Sequence, residues 1–336
     1  MPEPKISVII PAYNAEKTIR RALEAVMKQD VSEPFEVIVV DDGSQDATAQ
    51  IVRAFPSVVY IHQPNAGSAA ARNRGAAAAR GEVFLFTDSD CVPHPDWVRL
   101  MTAAFRDGGA GAVAGSYGIA NPQSRLAAVI HDEIMYRHKQ LMPDEPKVLG
   151  SYNFAVLRHV FQNIDGFDEG YRTASGEDND LSYRLIGAGY KIVFARNALV
   201  DHHHPESMKR YLYEQYRHGF WRAKMYREHP QMSQGDDYTF WKDVVEIPLA
   251  GMASLLIVLS VFSGPGFVAA FLILIFILSL LEIFFSFNIT RGLSRVAVLS
   301  VMMTLRAFAR TFGFVTGTIK PFFAPEFWGL AEKQKP

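Results

Sequence analysis

Val83-Phe84-Leu85-Phe86-Thr87-Asp88-Ser89-Asp90 is a short apolar run that breaks into two carboxylates spaced i and i+2. Five residues of this composition, entered from Gly81 and left through polar residues, read as a buried strand whose end is charged. Working outward, similar runs occur at Ile6–Ile10, Glu36–Val40, Val58–His62 and Ala112–Gly115. Between them, Ala15–Lys28, Ala47–Phe55 and Ser68–Ala79 have helical composition. Strands alternating with helices of this length predict a parallel, doubly wound α/β sheet, in which ligands gather at the carboxyl ends of the strands. Asn14 follows the first strand, Asp41 and Asp42 the second, Asn65 the third, and Asp88 and Asp90 the fourth.

Composition bounds the function. The formal net charge of −1 over 336 residues offers no one-signed field, so nucleic acid is excluded as a main partner. The single cysteine, Cys91, rules out an internal disulfide framework. Lys5 precedes an apolar run too brief for a signal-peptide core. From Val244 to Phe287 the only charges are Glu246 and Glu282. Two apolar stretches there, Ile247–Phe262 and Phe267–Phe287, are broken only by Ser263-Gly264-Pro265-Gly266, the pattern of a transmembrane hairpin whose first stretch is a little short. Basic residues lie before the hairpin and at Arg291 and Arg295 after it, which predicts that both its ends are cytoplasmic.

Glu206–His229 is basic and aromatic, as expected of a helix lying along headgroups, with an ordinary amphipathic helix as the alternative. Lys209, Arg210, Arg217, Arg222 and Lys224 there are candidates for holding a lipid phosphate or surface lipids. A polar connector follows around Gly235. The third apolar stretch, Val296–Ile319, carries Arg306 and Arg310 four apart, and each arginine at mid-bilayer costs about 2.5 to 3.5 kcal/mol. An interfacial helix is therefore expected in preference to a third span, the arginines otherwise facing an anionic lipid or another helix. The expected domains are 1–205 catalytic, 206–243 amphipathic helix and connector, 244–290 hairpin, and 291–336 interfacial or third membrane helix and tail.

Asp88 and Asp90 at a strand end can reach one divalent cation and the ribose or diphosphate beside it, although Asp-x-Asp alone also suits a polar turn. Three further motifs precede it: Ile10-Pro11-Ala12-Tyr13-Asn14, Val40-Asp41-Asp42-Gly43-Ser44 and Asn65-Ala66-Gly67-Ser68-Ala69-Ala70-Ala71-Arg72-Asn73-Arg74-Gly75. In order and spacing these resemble the large inverting glycosyltransferase family 2, over Lys5 to Pro205. The resemblance implies the GT-A nucleotide-diphospho-sugar transferase fold, with a mixed sheet. It implies that Pro11, Ala12 and Tyr13 line the base and ribose pocket, that Asp42 bonds the nucleobase edge, and that Arg72 approaches the nucleotide. Gly67 would let the backbone come close, Asp88 would address ribose or water around the metal, and Asp90 would ligate manganese or magnesium. A UDP-sugar is the default donor.

Ser175-Gly176-Glu177-Asp178-Asn179-Asp180 begins a helix running to about Ala188. Glu177-Asp178 looks like the family's base motif, with Asp178 as base and Glu177 as acceptor contact or support. The rival reading is helix capping, since Ser175 and Asp178 fit the S/T-x-x-E/D start. Asp201-His202-His203-His204 follows a strand at Lys191–Phe194 and the segment Ala195–Val200. His202 is the preferred additional metal ligand, a solvated turn or a surface that stacks on the acceptor being the alternatives. Gly109–Gly115 superficially suggests a dinucleotide loop, but no suitable strand precedes it and no clear helix follows, so a loop and strand are expected.

A membrane hairpin suggests a lipid-linked acceptor and contact with membrane lipids, in a plasma or inner membrane. A processive polysaccharide synthase is the rival enzyme. Its Gln-x-x-Arg-Trp motif is not matched by Gln215-Tyr216-Arg217-His218-Gly219. A non-catalytic membrane scaffold is the rival from another class.

Overall fold

The computed structural model describes residues 5–106, 109–173, 175–234, 237 and 239–323, so Gly235 and the tail after 323 lie outside the described residues. The elements in chain order are β1 (Ile6–Ala12), α1 (Ile19–Val26), β2 (Phe35–Asp41), α2 (Thr48–Arg53), β3 (Val58–His62), α3 (Ser68–Ala78), β4 (Val83–Thr87), β5 (Cys91–Pro93), α4 (Trp97–Ala103) and β6 (Ala110–Ile119). There follow α5 (Arg125–Gln140), β7 (Asn153–Leu157), α6 (Arg158–Asn163), α7 (Glu177–Gly187), β8 (Lys191–His202), α8 (Met208–Glu228), α9 (Trp241–Ser263), α10 (Pro265–Ile289) and α11 (Leu293–Phe323). They form two compact units: Met1–Ala120 with Met142–His203, and Asn121–Leu141 with His204–Pro336.

The first unit is built on one sheet of order β3-β2-β1-β4-β7-β6-β8-β5. β1 runs parallel to β2 and β4, while β7 is antiparallel to β4 and β6, so the sheet is mixed, in the GT-A manner. β1, β2 and β4 read as continuous apolar runs because both of their faces are buried, while β3 at the sheet edge is only partly buried. On one face Val8, Ile10, Val37, Val39 and Leu85 pack with Ile19, Leu23 and Val26 of α1. On the other, a Cβ added to Gly75 of α3 would lie 2.5 Å from Ile9 Cγ2. That approach explains the alanine-rich composition of α3, since larger side chains would push it off the sheet. Phe86 on this same face stacks on Phe154 and meets Phe161 and Phe167. Because the chain leaves β1 toward β2 and returns to β4 on its other side, a crevice opens at the carboxyl ends of these strands.

Two strands are absent from the sequence reading. β5 is three residues long, and β7 follows a Gly-Ser-Tyr turn. Lys191–Phe194 and Ala195–Val200 prove to be one strand, β8, with irregular pairing to β6 between Gly115 and Ser116.

In the second unit, Asn121–Leu141, assigned by sequence to the 1–205 domain, groups with the C-terminal helices. Among the described residues, three helices are long and apolar enough to cross a membrane: Trp241–Phe262, Pro265–Ile289 and Leu293–Lys320. α9 starts ahead of Val244 because its first turns can bury charge in pairs. Lys242 Nζ donates to Glu246 at 2.5 Å and to Glu282 of α10 at 3.0 Å. Arg306 finds a protein partner: its Nη1 donates to both oxygens of Glu133 on α5, at 2.6 and 2.8 Å. Burial alone would raise the Glu133 carboxyl, but the Arg306 and Arg137 guanidiniums hold it well below the usual range. Arg310 Nε donates to Gln215 of α8 at 2.8 Å. These arginines therefore face other helices, which removes most of the cost that an unpaired charge would carry.

Candidate active site

The crevice is shaped first by backbone tethers. Asn14, in the left-handed region at φ 48°, receives Gln45 N–H on its Oδ1 while its own N–H donates to Ser44 Oγ, tying the loops after β1 and β2 together. Asp41 accepts from Ser44 N and from the Tyr60 hydroxyl, at 2.8 and 2.7 Å. Asp42 is buried, and Oδ1 accepts from Gln63 Nε2 and Ala66 N at 2.8 Å while Oδ2 accepts from Gly67 N at 2.9 Å. The carboxylate assigned by resemblance to a nucleobase edge thus holds the loop that leads into α3. Gly67 stands at φ +101°, and a Cβ there would lie 2.6 Å from the Arg172 carbonyl oxygen, so only glycine fits. Pro11 and Ala12 end β1, and Tyr13 beside them is 52% exposed, available to a ligand's flat face.

Arg72 is the centre of the site's electrostatics. Its side chain is 1% exposed, and it donates to Asp88 Oδ1 at 2.7 Å and to Glu177 Oε1 at 3.0 Å. Glu177 also accepts from Ser68 Oγ at 3.2 Å and from Ser175 N at 2.6 Å. One guanidinium, on a residue 105 positions before Glu177, therefore links the acidic end of β4 to the start of α7. The N-cap of α7 is Gly176 in the left-handed conformation, with no side-chain cap bond.

Asp178 follows Glu177 on the first turn of α7, half-buried, with Oδ1 accepting from Asn179 N at 2.9 Å. Burial, and then the charge of Glu177, push its carboxyl up to about 7. A carboxylate tuned to neutrality can take a proton at working pH and hold it, the property required of a general base.

Asp90 and His202 approach to 3.8 Å, Oδ1 to Nε2, with side chains 28% and 22% exposed. The pairing of β5 with β8 brings them together, since Cys91 lies opposite His202. With Cys91 Sγ they form a group of ligand atoms within 4.8 Å of one another. Cys91 points into the apolar core and burial pushes its thiol up, so the carboxylate and imidazole are the accessible donors. Oxygen and imidazole ligands suit manganese or magnesium. Next to them Tyr117 and Tyr152 stack at 3.8 Å, with His202 edge-on to Tyr117 at 5.6 Å.

Several supporting residues escaped sequence reasoning. Asn73 clamps both backbone groups of Phe167, its Oδ1 accepting from Phe167 N and its Nδ2 donating to Phe167 O, and so fixes the loop before α7. Asn153, fully buried, accepts from Trp97 Nε1 and donates to the Ser116 and Ala198 carbonyls where β6 and β8 lose register. Ser68 reaches Glu177 directly. Only Ser68 and Asn73 had a signal, since they sit inside the motif around Arg72.

The family model described as Glycosyl transferase family 2 matches residues 7–164. Glycosyltransferase AglE of Haloferax volcanii is 31% identical over 205 residues, covering 59% of this chain and 67% of that protein. Probable glycosyltransferase YdaM of Bacillus subtilis is 32% identical over 61% of this chain, which spans only about half (52%) of that relative. Among solved structures, mannosyltransferase PcManGT of Pyrobaculum calidifontis, in complex with GDP-Man and Mn2+, superposes with TM-score 0.55 and 17% identity over 94% of this chain and 87% of that one, a likeness of fold. On the family model and these identities, the chain belongs to glycosyltransferase family 2.

Proposed function

We propose that the protein transfers a single sugar from a nucleotide sugar to the hydroxyl of a lipid-linked acceptor, with inversion. The observation that carries this reading is the Asp88–Arg72–Glu177 bridge, which couples the donor-binding end of β4 to the base, Asp178. Asp178 takes the proton of the acceptor hydroxyl. The oxygen forms its bond to the anomeric carbon from the face opposite the leaving group, and the bond to the diphosphate breaks, releasing the nucleoside diphosphate. Arg72 holds Glu177 in place beside Asp178; burial and Glu177 raise the proton affinity of Asp178, and the Arg72 charge partly offsets them. A divalent cation on Asp90 and His202 would supply Lewis-acid neutralisation of the diphosphate's charge. A base tuned to neutrality favours a hydroxyl acceptor, because a phosphate acceptor arrives already ionised.

UDP is the default nucleotide, with Pro11, Ala12 and Tyr13 beside the base and ribose. The GDP-Man bound to PcManGT makes GDP the first alternative. Apolar α9 and α10 support membrane anchoring, and the basic residues flanking them support a cytoplasmic catalytic unit. The scaffold alternative conflicts with the presence of Asp90, His202 and Asp178 in these positions.

Calorimetry of a nucleoside-diphosphate panel on the detergent-solubilised protein, with manganese and then chelator, tests the reading. UDP binding that requires metal and is lost in Asp90→Ala is expected. Preference for GDP would change the donor, and absence of binding by every nucleotide would overturn the enzyme reading.

A further inference from the structure

α8 and α11 lie side by side and run in the same direction. Gln215 meets Arg310, the Tyr216 hydroxyl meets Thr316 Oγ1 at 3.0 Å, and the pairing continues to Tyr226 against Phe314. The approach is backbone to backbone: a Cβ on Gly313 would lie 2.0 Å from the Tyr216 carbonyl oxygen, and one on Gly219 2.1 Å from that of Arg310. α11 cannot be moved through a bilayer without α8. α8 carries Arg210, Glu214, Arg217, Arg222 and Arg227 along its length, and such charges are strongly disfavoured in hydrocarbon.

α11 also meets the hairpin, but only along the part nearest the start of α9 and the end of α10: Ser300 Oγ donates to Ser286 Oγ at 2.9 Å, and Leu299, Met302 and Met303 pack with Phe285. Thr311 Oγ1 donates to the Ile247 carbonyl at 3.1 Å, and Ala307 packs with Ala250 and Leu278. From Gly251 to the turn at Gly264, α9 continues for about 18 Å at 1.5 Å per residue. Leu255, Val258 and Phe262 are exposed there, as are Leu272, Ile273 and Phe276 on α10. A third span would run beside this part of the hairpin. α11 instead follows α8 and exposes Val301, Leu305, Phe312, Val315 and Ile319, whose spacing of 4, 7, 3 and 4 keeps them on one helical face. Arg291 and Lys320 bracket that stripe, as suits a surface of anionic headgroups.

We propose that α8 and α11 form a platform lying in the plane of the membrane, its apolar stripe seated in the headgroup–acyl boundary, while α9 and α10 alone cross the bilayer. The ion cluster of Lys242, Glu246, Glu282 and Arg306 then marks where the hairpin enters, and the end of α11 lies on the side from which α9 starts. The proposal rests on α9 and α10 being spans, and the experiment separates the two.

Single cysteines at Val301, Leu305, Phe312, Val315 and Ile319 in the full chain are nitroxide-labelled and reconstituted into phosphatidylcholine–phosphatidylglycerol vesicles, with Leu255→Cys and Phe276→Cys as hairpin reporters. Wild type, whose only cysteine is buried, is the labelling blank. Depth is read from relaxation by oxygen against a water-soluble nickel chelate. The five α11 sites should share one shallow depth, with the hairpin sites much deeper. A depth changing steadily from Val301 to Ile319, by about 27 Å over eighteen residues at 1.5 Å each, would show a third span and overturn the platform. Five water-exposed α11 sites with deep hairpin sites would overturn it in favour of a protein partner on the stripe. Water-exposed hairpin sites would overturn the spans, and the platform with them.

Discussion

The pH profile of transfer follows from Asp178. Its carboxyl is pushed up to about 7 by burial and by the charge of Glu177, which Arg72 holds in place. For a base that must be ionised to work, about one molecule in eleven is competent at pH 6 and about ten in eleven at pH 8, so kcat/KM should rise about tenfold between them. Glu177→Gln keeps a hydrogen-bond acceptor for Arg72 but removes the charge, so the acid limb should move to lower pH and much of the tenfold rise should disappear. Asp178→Asn should lower kcat by about 10² to 10⁴ while leaving nucleotide affinity intact. It should also raise the Tm at pH 8. A folded-state value above the unfolded one means that the proton's contribution to stability is complete below the unfolded value, near 4, and is lost as pH rises through 7. Asparagine carries no ionisation, so its advantage should vanish in acid. The assay is release of nucleoside diphosphate by the reconstituted enzyme, with the donor that the binding panel selects, alongside thermal melts at pH 4 and pH 8. A wild-type profile flat from pH 6 to 8, or a Glu177→Gln profile with its limb still near 7, would refute the coupling of Glu177 to Asp178.

Two other substitutions test the second unit. Arg306→Met leaves Glu133 without its two 2.6 and 2.8 Å bonds and should destabilise the protein by about 3 to 5 kcal/mol, read as a lower melting temperature in detergent, with partial recovery when Glu133→Gln is added. Gly219→Ala places a methyl where 2.1 Å is available to the Arg310 carbonyl oxygen, so α8 and α11 must part, at about 1 to 3 kcal/mol, measured in the same melts.

Much of this protein was legible in the chain itself. Apolar runs ending in polar residues set β1, β2 and β4, because strands buried on both faces need continuous hydrophobicity and carry their polar groups where they stop; β3, a half-exposed edge strand, was set by its β-branched composition. The same local logic placed Asp42, Asp88 and Asp90 at strand ends, whereas Glu177-Asp178 was singled out by the family resemblance. Local logic also found the hairpin, since hydrocarbon thickness imposes a length on any crossing helix. Tertiary structure decided the rest. β5 and β7 are too short or too plain to stand out, and they exist because their pairing partners are already in place. The resemblance places Arg72 near the nucleotide; its partners Asp88 and Glu177 lie 16 and 105 residues away, a distance that only folding closes. Arg306 and Arg310 look like a penalty in an apolar stretch until Glu133 and Gln215 arrive from other helices to satisfy them. Periodicity records the environment of each residue's own segment; the pairing of charge between segments is written only in three dimensions.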